Sequence, residues 1–176
     1  MSVSKERFRE GLTWNEWMDR LADDCFPWEE RYRAASLGRL RADYQDVPTP
    51  RYVLCLFDPG AAESLAITPV LAKACDQAGE AGGVDFRLFP VDEARDIADQ
   101  YRADGALDLP LCVVFDDDWI QVGVWRHHHI EPDGDVQATL DSFLHSLVGE
   151  SEFPWRSGRE AARKRWMQAE RAREQG

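Results

Sequence analysis

The sequence predicts an α/β protein in which helices cover a central, mixed, four-stranded sheet. An uninterrupted apolar run, YVLCLF at 52–57, is typical of a strand buried on both faces. Strand-like and helix-like patterns alternate from there, in the order strand, helix, strand, helix, strand, strand, helix. The last two strands are joined by an acidic turn at 116–118, which indicates a hairpin and therefore an antiparallel pair.

Residues 4–44 precede this core and have the pattern of helices. Thr13, with Glu16 three positions later, forms a capping-box pattern that predicts a helix start. Pro27 suits the first turn of a second helix. The apolar residues that recur at helical spacing are Trp14, Trp17, Met18 and Leu21 in the first helix, and Trp28, Tyr32 and Leu37 in the second. We therefore expect an N-terminal helical cap on the core.

The core elements follow a breaker-rich linker at 46–51. The turn DPGA separates the first strand from a helix in which Pro69 removes one backbone donor, so we expect a kink there. The third strand is entered through Pro110, and a last, basic helix is expected from Arg156 onward. The expected core elements are strands at 52–57, 84–92, 110–115 and 119–126, and helices at 62–77, 93–106 and 135–149, of which the second is short and is ended by Gly105.

Charge is distributed unevenly along the chain. The 176 residues carry a net charge of −12, which would repel phosphate, so we expect no nucleic-acid partner. Residues 151–176 are basic instead, with seven Arg or Lys and four Glu. We divide the chain into a helical extension at 1–47, a core domain at 48–149 and a basic helical tail at 150–176. The tail is either an ordinary solvated helix or an element that meets an acidic surface or a second copy.

Composition and the N-terminal sequence bound the class of protein. With 44% hydrophobic residues, the chain is globular rather than disordered. No apolar run approaches the ~20 residues that span a bilayer. The opening MSVSKERFREG has neither an apolar centre nor a small-residue cleavage site. We therefore expect a cytoplasmic protein without a membrane partner.

The order of the elements, with LDLP opening the third strand, resembles the thioredoxin fold. More narrowly, it resembles a bacterial thioredoxin-like family with an N-terminal helical extension, in which a strand leads to a W-C-x-x-[AC]-type motif. The pieces that carry this resemblance are ITPVLAKA at 67–74, DLPLCVVFDDD at 108–118 and VGVW at 122–125. The resemblance covers roughly residues 8–149 and implies a thioredoxin-like domain.

Alignment on the PVL stretch shows what has become of the redox motif. The position of the nucleophilic cysteine falls on Ala61, that of the resolving cysteine on Ser64, and that of the usual tryptophan on Gly60. Disulfide exchange needs an attacking thiolate and a second thiol that resolves the mixed disulfide. Ala61 offers no nucleophile, and a serine hydroxyl does not ionise like a thiol. The sequence therefore predicts that dithiol chemistry is lost.

The resemblance also implies where a partner would bind. In thioredoxin-like proteins a cis-proline faces the redox motif, and the residue before it offers backbone to an extended peptide. We therefore expect Pro110 to be cis. The residues implied to line the binding groove are Asp58, Pro59, Gly60, Ala61, Ala62, Glu63, Ser64, Leu109 and Pro110.

The four cysteines form no C-x-x-C pair and no secreted disulfide pattern. Cys55 and Cys112 lie in apolar runs, which favours packing in the core, with a cryptic reactive thiol as the alternative. We expect Cys75, at the end of a helix, to be partly exposed. Cys25, in the cap, is expected to oxidise most freely.

Three consecutive histidines at 127–129 raise the question of a metal site. A closed zinc site needs about four converging ligands, and adjacent side chains of an extended segment point to alternating faces. His145 is the only other histidine, so Glu131 or Asp133 would have to contribute. We interpret the segment as a polar turn and expect neither a metal nor another cofactor.

The leading functional hypothesis is a redox-inactive module that binds a protein or an extended peptide, or acts like a chaperone. The alternative is a monothiol oxidoreductase or thiol carrier of cell redox homeostasis that uses Cys55 or Cys112. A third hypothesis is an assembly protein that forms a homodimer through the cap or the tail.

Overall fold

A computed structural model describes residues 2–127 and 136–149, which contain every predicted core element. The helix expected from Arg156, and the histidines at 128 and 129, lie outside the described residues. The elements are α1 Lys5–Arg9, α2 Trp14–Leu21, α3 Phe26–Ala34, α4 Arg41–Gln45, β1 Arg51–Phe57, α5 Ala62–Gln77, β2 Val84–Pro90, α6 Arg95–Ala98, β3 Leu111–Phe115, β4 Gln121–Arg126 and α7 Val136–Val148.

The described strands form one four-stranded sheet in the order β2-β1-β3-β4. Strands β1 and β2 are parallel and are connected through α5, as a parallel pair requires a crossover. Strand β3 runs antiparallel to β1, and β4 runs antiparallel to β3. The predicted fold class is therefore confirmed: an α/β protein with a mixed sheet and the connectivity of the thioredoxin-like fold.

The two central strands are buried on both faces. Residues 53–57 of β1 and 111–115 of β3 have no exposed surface. Val53, Cys55 and Phe57 point to the larger core cluster, on the side of α5 and α7, whereas Leu54 and Leu56 point to a second cluster that includes residues of α1 and α6. Alternation of side chains along a strand explains this division, and it means that helices cover both faces of the sheet.

The N-terminal helices pack directly on the sheet. Thr13 and Glu16 form the predicted capping box at the start of α2. Trp17 of α2 and Trp28 of α3 meet Phe57 edge to face, with ring centroids 5.0 and 5.7 Å away. Leu12 forms an antiparallel bridge with Leu88 of β2. The cap therefore shares its core with the sheet, while the domain boundaries at 47 and 150 stay predictions.

Two elements differ from the expectation. The helix predicted at 93–106 is only α6, with a 3₁₀ turn before it. Asp104 and Gly105 have positive φ angles and Ala103 pairs with Ala106, so the chain turns at Gly105, where the helix was expected to end, but the helix itself stops earlier, at Ala98. Strand β4 begins at Gln121 rather than 119, because Trp119 has a φ of 63° and stacks on Phe115. Within the described residues, no helix is long and apolar enough to cross a bilayer.

Candidate functional site

The structure brings the two predicted binding segments to the same end of the sheet. Strands β1 and β3 are antiparallel and pair Leu56 with Leu111. The carboxyl end of β1 therefore lies beside the amino end of β3. The chain leaves β1 at Asp58 and enters β3 through Leu109 and Pro110, so these segments are neighbours. Their role in binding stays a prediction.

The loop at 58–64 is held in place by hydrogen bonds to one aspartate. Gly60 N–H donates to Asp58 Oδ1 at 2.9 Å, and Ala61 N–H donates to the Asp58 carbonyl at 3.1 Å. Asp58 N–H in turn donates to Ser64 Oγ at 3.0 Å. Ser64 is fully buried. The hydroxyl that occupies the predicted resolving position therefore fixes the shape of the loop.

The amino end of α5 has no side-chain cap. Ala61 is the N-cap residue, with an extended backbone at φ −90° and ψ 136°, and its methyl group accepts no hydrogen bond. Glu63 in the first turn supplies a negative charge, which the positive end of the helix dipole favours. A helix amino end that would lower the pKa of a cysteine is thus present, but no cysteine lies in it.

Leu109 and Pro110 form the other side of the site. The peptide bond between them is cis. The carbonyl of Pro110 accepts a hydrogen bond from His127 N–H at 3.2 Å. Leu109 is half-buried, and no residue within 2–127 or 136–149 hydrogen-bonds to its main-chain N–H or C=O. A main-chain donor and acceptor without a partner among the described residues therefore lie at the end of the sheet where the loop at 58–64 follows β1.

Three of the cysteines converge in the core. Cys55 of β1 lies directly opposite Cys112 of β3 in the sheet register. Cys75 of α5 belongs to the same core cluster, and all three thiols are buried. Burial, and then the neighbouring thiols, raise the pKa of Cys75 and of Cys112 well above the usual value. Cys75 and Cys112 are therefore not disposed to act as thiolates in this conformation, and burial keeps reagents from Cys55.

The expectation that Cys75 is partly exposed is wrong. Its side chain has 2% of its surface exposed, because α4 covers the last turn of α5. Tyr44 of α4 is itself fully buried, and its carbonyl accepts a hydrogen bond from Gly79 N–H just after that turn. The residues around each cysteine carry no sign of the other two. The cluster follows only from the strand register and the packing of α5.

Thiol titration of the native chain is expected to find one rapidly reacting cysteine, Cys25. It is half-buried, whereas the other three cysteines are buried. A chromogenic disulfide reagent should modify one thiol at neutral pH and all four in denaturant. Because the pKa of Cys75 and of Cys112 is raised, these two thiols stay protonated at a pH of about 9, and the slow fraction should persist there.

The control for this titration is Cys25→Ser, which should leave no rapidly reacting thiol in the native protein. Rapid modification of a second thiol in the folded chain would contradict the buried arrangement. It would also restore the hypothesis of a monothiol enzyme.

The three consecutive histidines, interpreted from the sequence as a polar turn, lie largely outside the described residues. His127 is buried, but His128, His129, Glu131 and Asp133 do not belong to the described residues. Within 2–127 and 136–149, no group of three or more His, Cys, Asp or Glu side chains is arranged to hold a metal ion.

The fold is that of a thioredoxin-like α/β domain, and the two positions that the sequence alignment predicts to be redox positions hold alanine and serine. The sequence matches no protein-family model and no curated protein. Among solved structures, a protein of unknown function, PA1234 from Pseudomonas aeruginosa, is similar at a TM-score of 0.62 and 16% identity, over 85% of this chain and 95% of that one. An HIV epitope scaffold is similar at a TM-score of 0.61 and 14% identity, over 84% of this chain and 93% of that one. These likenesses show the fold alone.

Thioredoxins also occur among the structural matches. Mitochondrial thioredoxin 3 from Saccharomyces cerevisiae matches at a TM-score of 0.36 and 19% identity, over 54% of this chain and 85% of that one. A similarity this low does not add to the assignment of the fold, which is based on the sheet topology.

Proposed function

We propose that the chain is a redox-inactive, thioredoxin-like module that binds an extended peptide or partner segment. The observation that supports this most directly is the main chain of Leu109, which has no hydrogen-bond partner among the described residues. It lies beside a loop that contains no sulfur at Ala61 or Ser64. Without these thiols the chain cannot carry out the family's dithiol chemistry. The loop and Leu109 would then serve as a binding surface.

An extended peptide can satisfy Leu109 in the way that a strand adds to the edge of a sheet. Its own N–H and C=O groups would pair with the Leu109 C=O and N–H. The uncapped first turn of α5 would offer further N–H donors. Burial of an unpaired main-chain group costs about 1–3 kcal/mol, so a partner that covers Leu109 must supply these hydrogen bonds.

The charge of the site favours a basic partner. The two segments contain the carboxylates of Asp58, Glu63 and Asp108, and the chain as a whole is strongly acidic. Glu63 is exposed, and the other two side chains are half-buried. Long-range attraction would therefore speed the approach of a basic segment and slow that of an acidic one.

Amide hydrogen exchange of Leu109, followed by NMR, tests this proposal directly. The probe is reduced, carbamidomethylated ribonuclease A, a permanently unfolded and basic polypeptide. We expect it to slow the exchange of the Leu109 amide by about tenfold at roughly 90% occupancy, because exchange then proceeds from the free fraction. Resonances of the loop at 58–64 should shift in the same titration.

The control amide in this experiment is that of Leu12, which already donates to the Leu88 carbonyl and should not change. Reduced, carbamidomethylated α-lactalbumin, which is unfolded but acidic, should bind more weakly. Binding that leaves Leu109 and the loop unaffected, or no binding of either polypeptide, would contradict the proposal.

A further inference from the structure

A second concave site lies near the amino end of β2, whereas the loop at 58–64 follows the carboxyl end of β1. It is a cleft of about 480 Å³ between the cap helices α2 and α3, helix α5 and the edge strand β2. This volume lies within the range of small-molecule sites in proteins. The residues of this cleft that matter here are Trp14, Glu29, Tyr32, Asp76, Asp85 and Phe86. The sequence predicted Trp14 and Tyr32 only as parts of apolar helix faces.

The cleft exists because the cap covers only part of the sheet edge. Leu12 and Leu88 exchange two hydrogen bonds, of 2.9 and 2.7 Å, as neighbouring strands do. The chain then leaves the strand direction at Thr13, which caps α2. Beyond this point the outer edge of β2 at residues 84–86 pairs with no further strand of the described residues, and Trp14 lines the cleft there.

The aromatic wall of the cleft already accepts a cation from the chain itself. The rings of Trp14 and Tyr32 are stacked, with centroids 5.0 Å apart and planes 20° from parallel. Lys73 places its Nζ 4.7 Å from the centroid of the Tyr32 ring. Ammonium groups are attracted to aromatic faces at this distance. Trp14 is only half-buried, so its surface remains available to a second cation.

The polar side of the cleft is acidic. Glu29, Asp76 and Asp85 contribute carboxylates; Arg33 pairs with Glu29 at 2.6 Å and Arg87 pairs with Asp85 at 2.7 Å, which leaves the charge of Asp76. The Tyr32 hydroxyl donates a hydrogen bond to Asp76, which fixes that carboxylate beside the aromatic wall. Asp76 is otherwise exposed and makes no ion pair within the described residues, so its charge faces the cleft.

We propose that this aromatic and acidic cleft binds a small organic cation, an ammonium with an aromatic or alkyl body. The body would lie against Trp14 and Phe86, and the charged group would approach Asp76. Tyr32 acts as a positioning residue, since it stacks on Trp14 and holds Asp76. The site is separate from the Leu109 groove and does not depend on the function proposed for it.

Three probes of one shape and different charge test this inference: 2-phenylethylammonium, 2-phenylethanol and phenylacetate. Binding is followed by the NMR shift of the Trp14 indole N–H. We expect saturable binding of the ammonium, about tenfold weaker binding of the neutral alcohol, and weaker binding still of the carboxylate. Asp76→Asn should weaken ammonium binding about tenfold and leave alcohol binding unchanged.

The matched control variant is Asp117→Asn, which removes an exposed carboxylate at the far turn and should leave all three affinities unchanged. Asp76→Asn keeps an acceptor for the Tyr32 hydroxyl, so it should fold normally. Equal binding of the ammonium and the alcohol would overturn the inference, as would the absence of saturable binding. Shifts confined to Leu109 and the loop at 58–64 would also overturn it.

Discussion

The double variant Ala61→Cys/Ser64→Cys is expected to reduce the disulfides of insulin catalytically, whereas the natural chain is expected to show no turnover. The two positions lie in the first turn of α5 with two residues between them, the spacing of a redox dithiol. A cysteine at such a helix start has a pKa near 7 instead of about 8.5, which raises its thiolate fraction at neutral pH by about tenfold. Insulin turbidity in the presence of dithiothreitol measures the gain.

The matched control is Ala61→Cys/Ser64→Ala, which supplies the attacking thiol without the resolving one. It should form mixed disulfides but not turn over. Both double variants lose the Ser64 hydroxyl that accepts from Asp58 N–H, so each should lose about 1 kcal/mol of stability. If the two introduced thiols form no disulfide with each other, the assignment of the redox positions to Ala61 and Ser64 is wrong.

Trp17→Ala is expected to lower the free energy of unfolding by about 3–5 kcal/mol, the usual cost of removing a large aromatic side chain from a core. Trp17 has 4% of its surface exposed and meets both Trp28 and Phe57 edge to face. Because Phe57 directly precedes Asp58, the loss also loosens the support of the loop at 58–64. Chemical denaturation followed by circular dichroism measures the change.

Phe26→Ala is the control for this prediction, since Phe26 belongs to the same cap and has 66% of its surface exposed. Its replacement should change stability by no more than about 0.5 kcal/mol. A loss below about 1 kcal/mol in Trp17→Ala, or two separate unfolding transitions in the natural chain, would show that the cap folds independently of the sheet.

Local pattern was enough to predict the elements whose signals are continuous in sequence. The apolar run at 52–57 is β1, and the helix expected at 62–77 is α5 with the same bounds. The capping box of Thr13 formed as predicted because all of its atoms lie within one helical turn. Such features depend on residues close together in the sequence, so they can be predicted from a single sequence.

Features that depend on distant residues could not be predicted in this way. The burial of Cys75 depends on α4, and the placement of Cys55 opposite Cys112 depends on the strand register. The short helix expected from residue 93, with its end at Gly105, is α6, which stops already at Ala98. For the candidate site, resemblance indicated the pairing of the loop with Leu109, but nothing local pointed to the cleft beside Trp14.

The bridge between Leu12 and Leu88 has a consequence for how copies of this chain meet. Strand β2 stands at one border of the sheet, where unpaired N–H and C=O groups could template growth into an intermolecular sheet. Leu12 occupies the middle of that border from within the same molecule. The uncovered part of this border, at residues 84–86, is shorter than the six- or seven-residue segments that stack into fibrils, so the bridge disfavours growth of a sheet along β2.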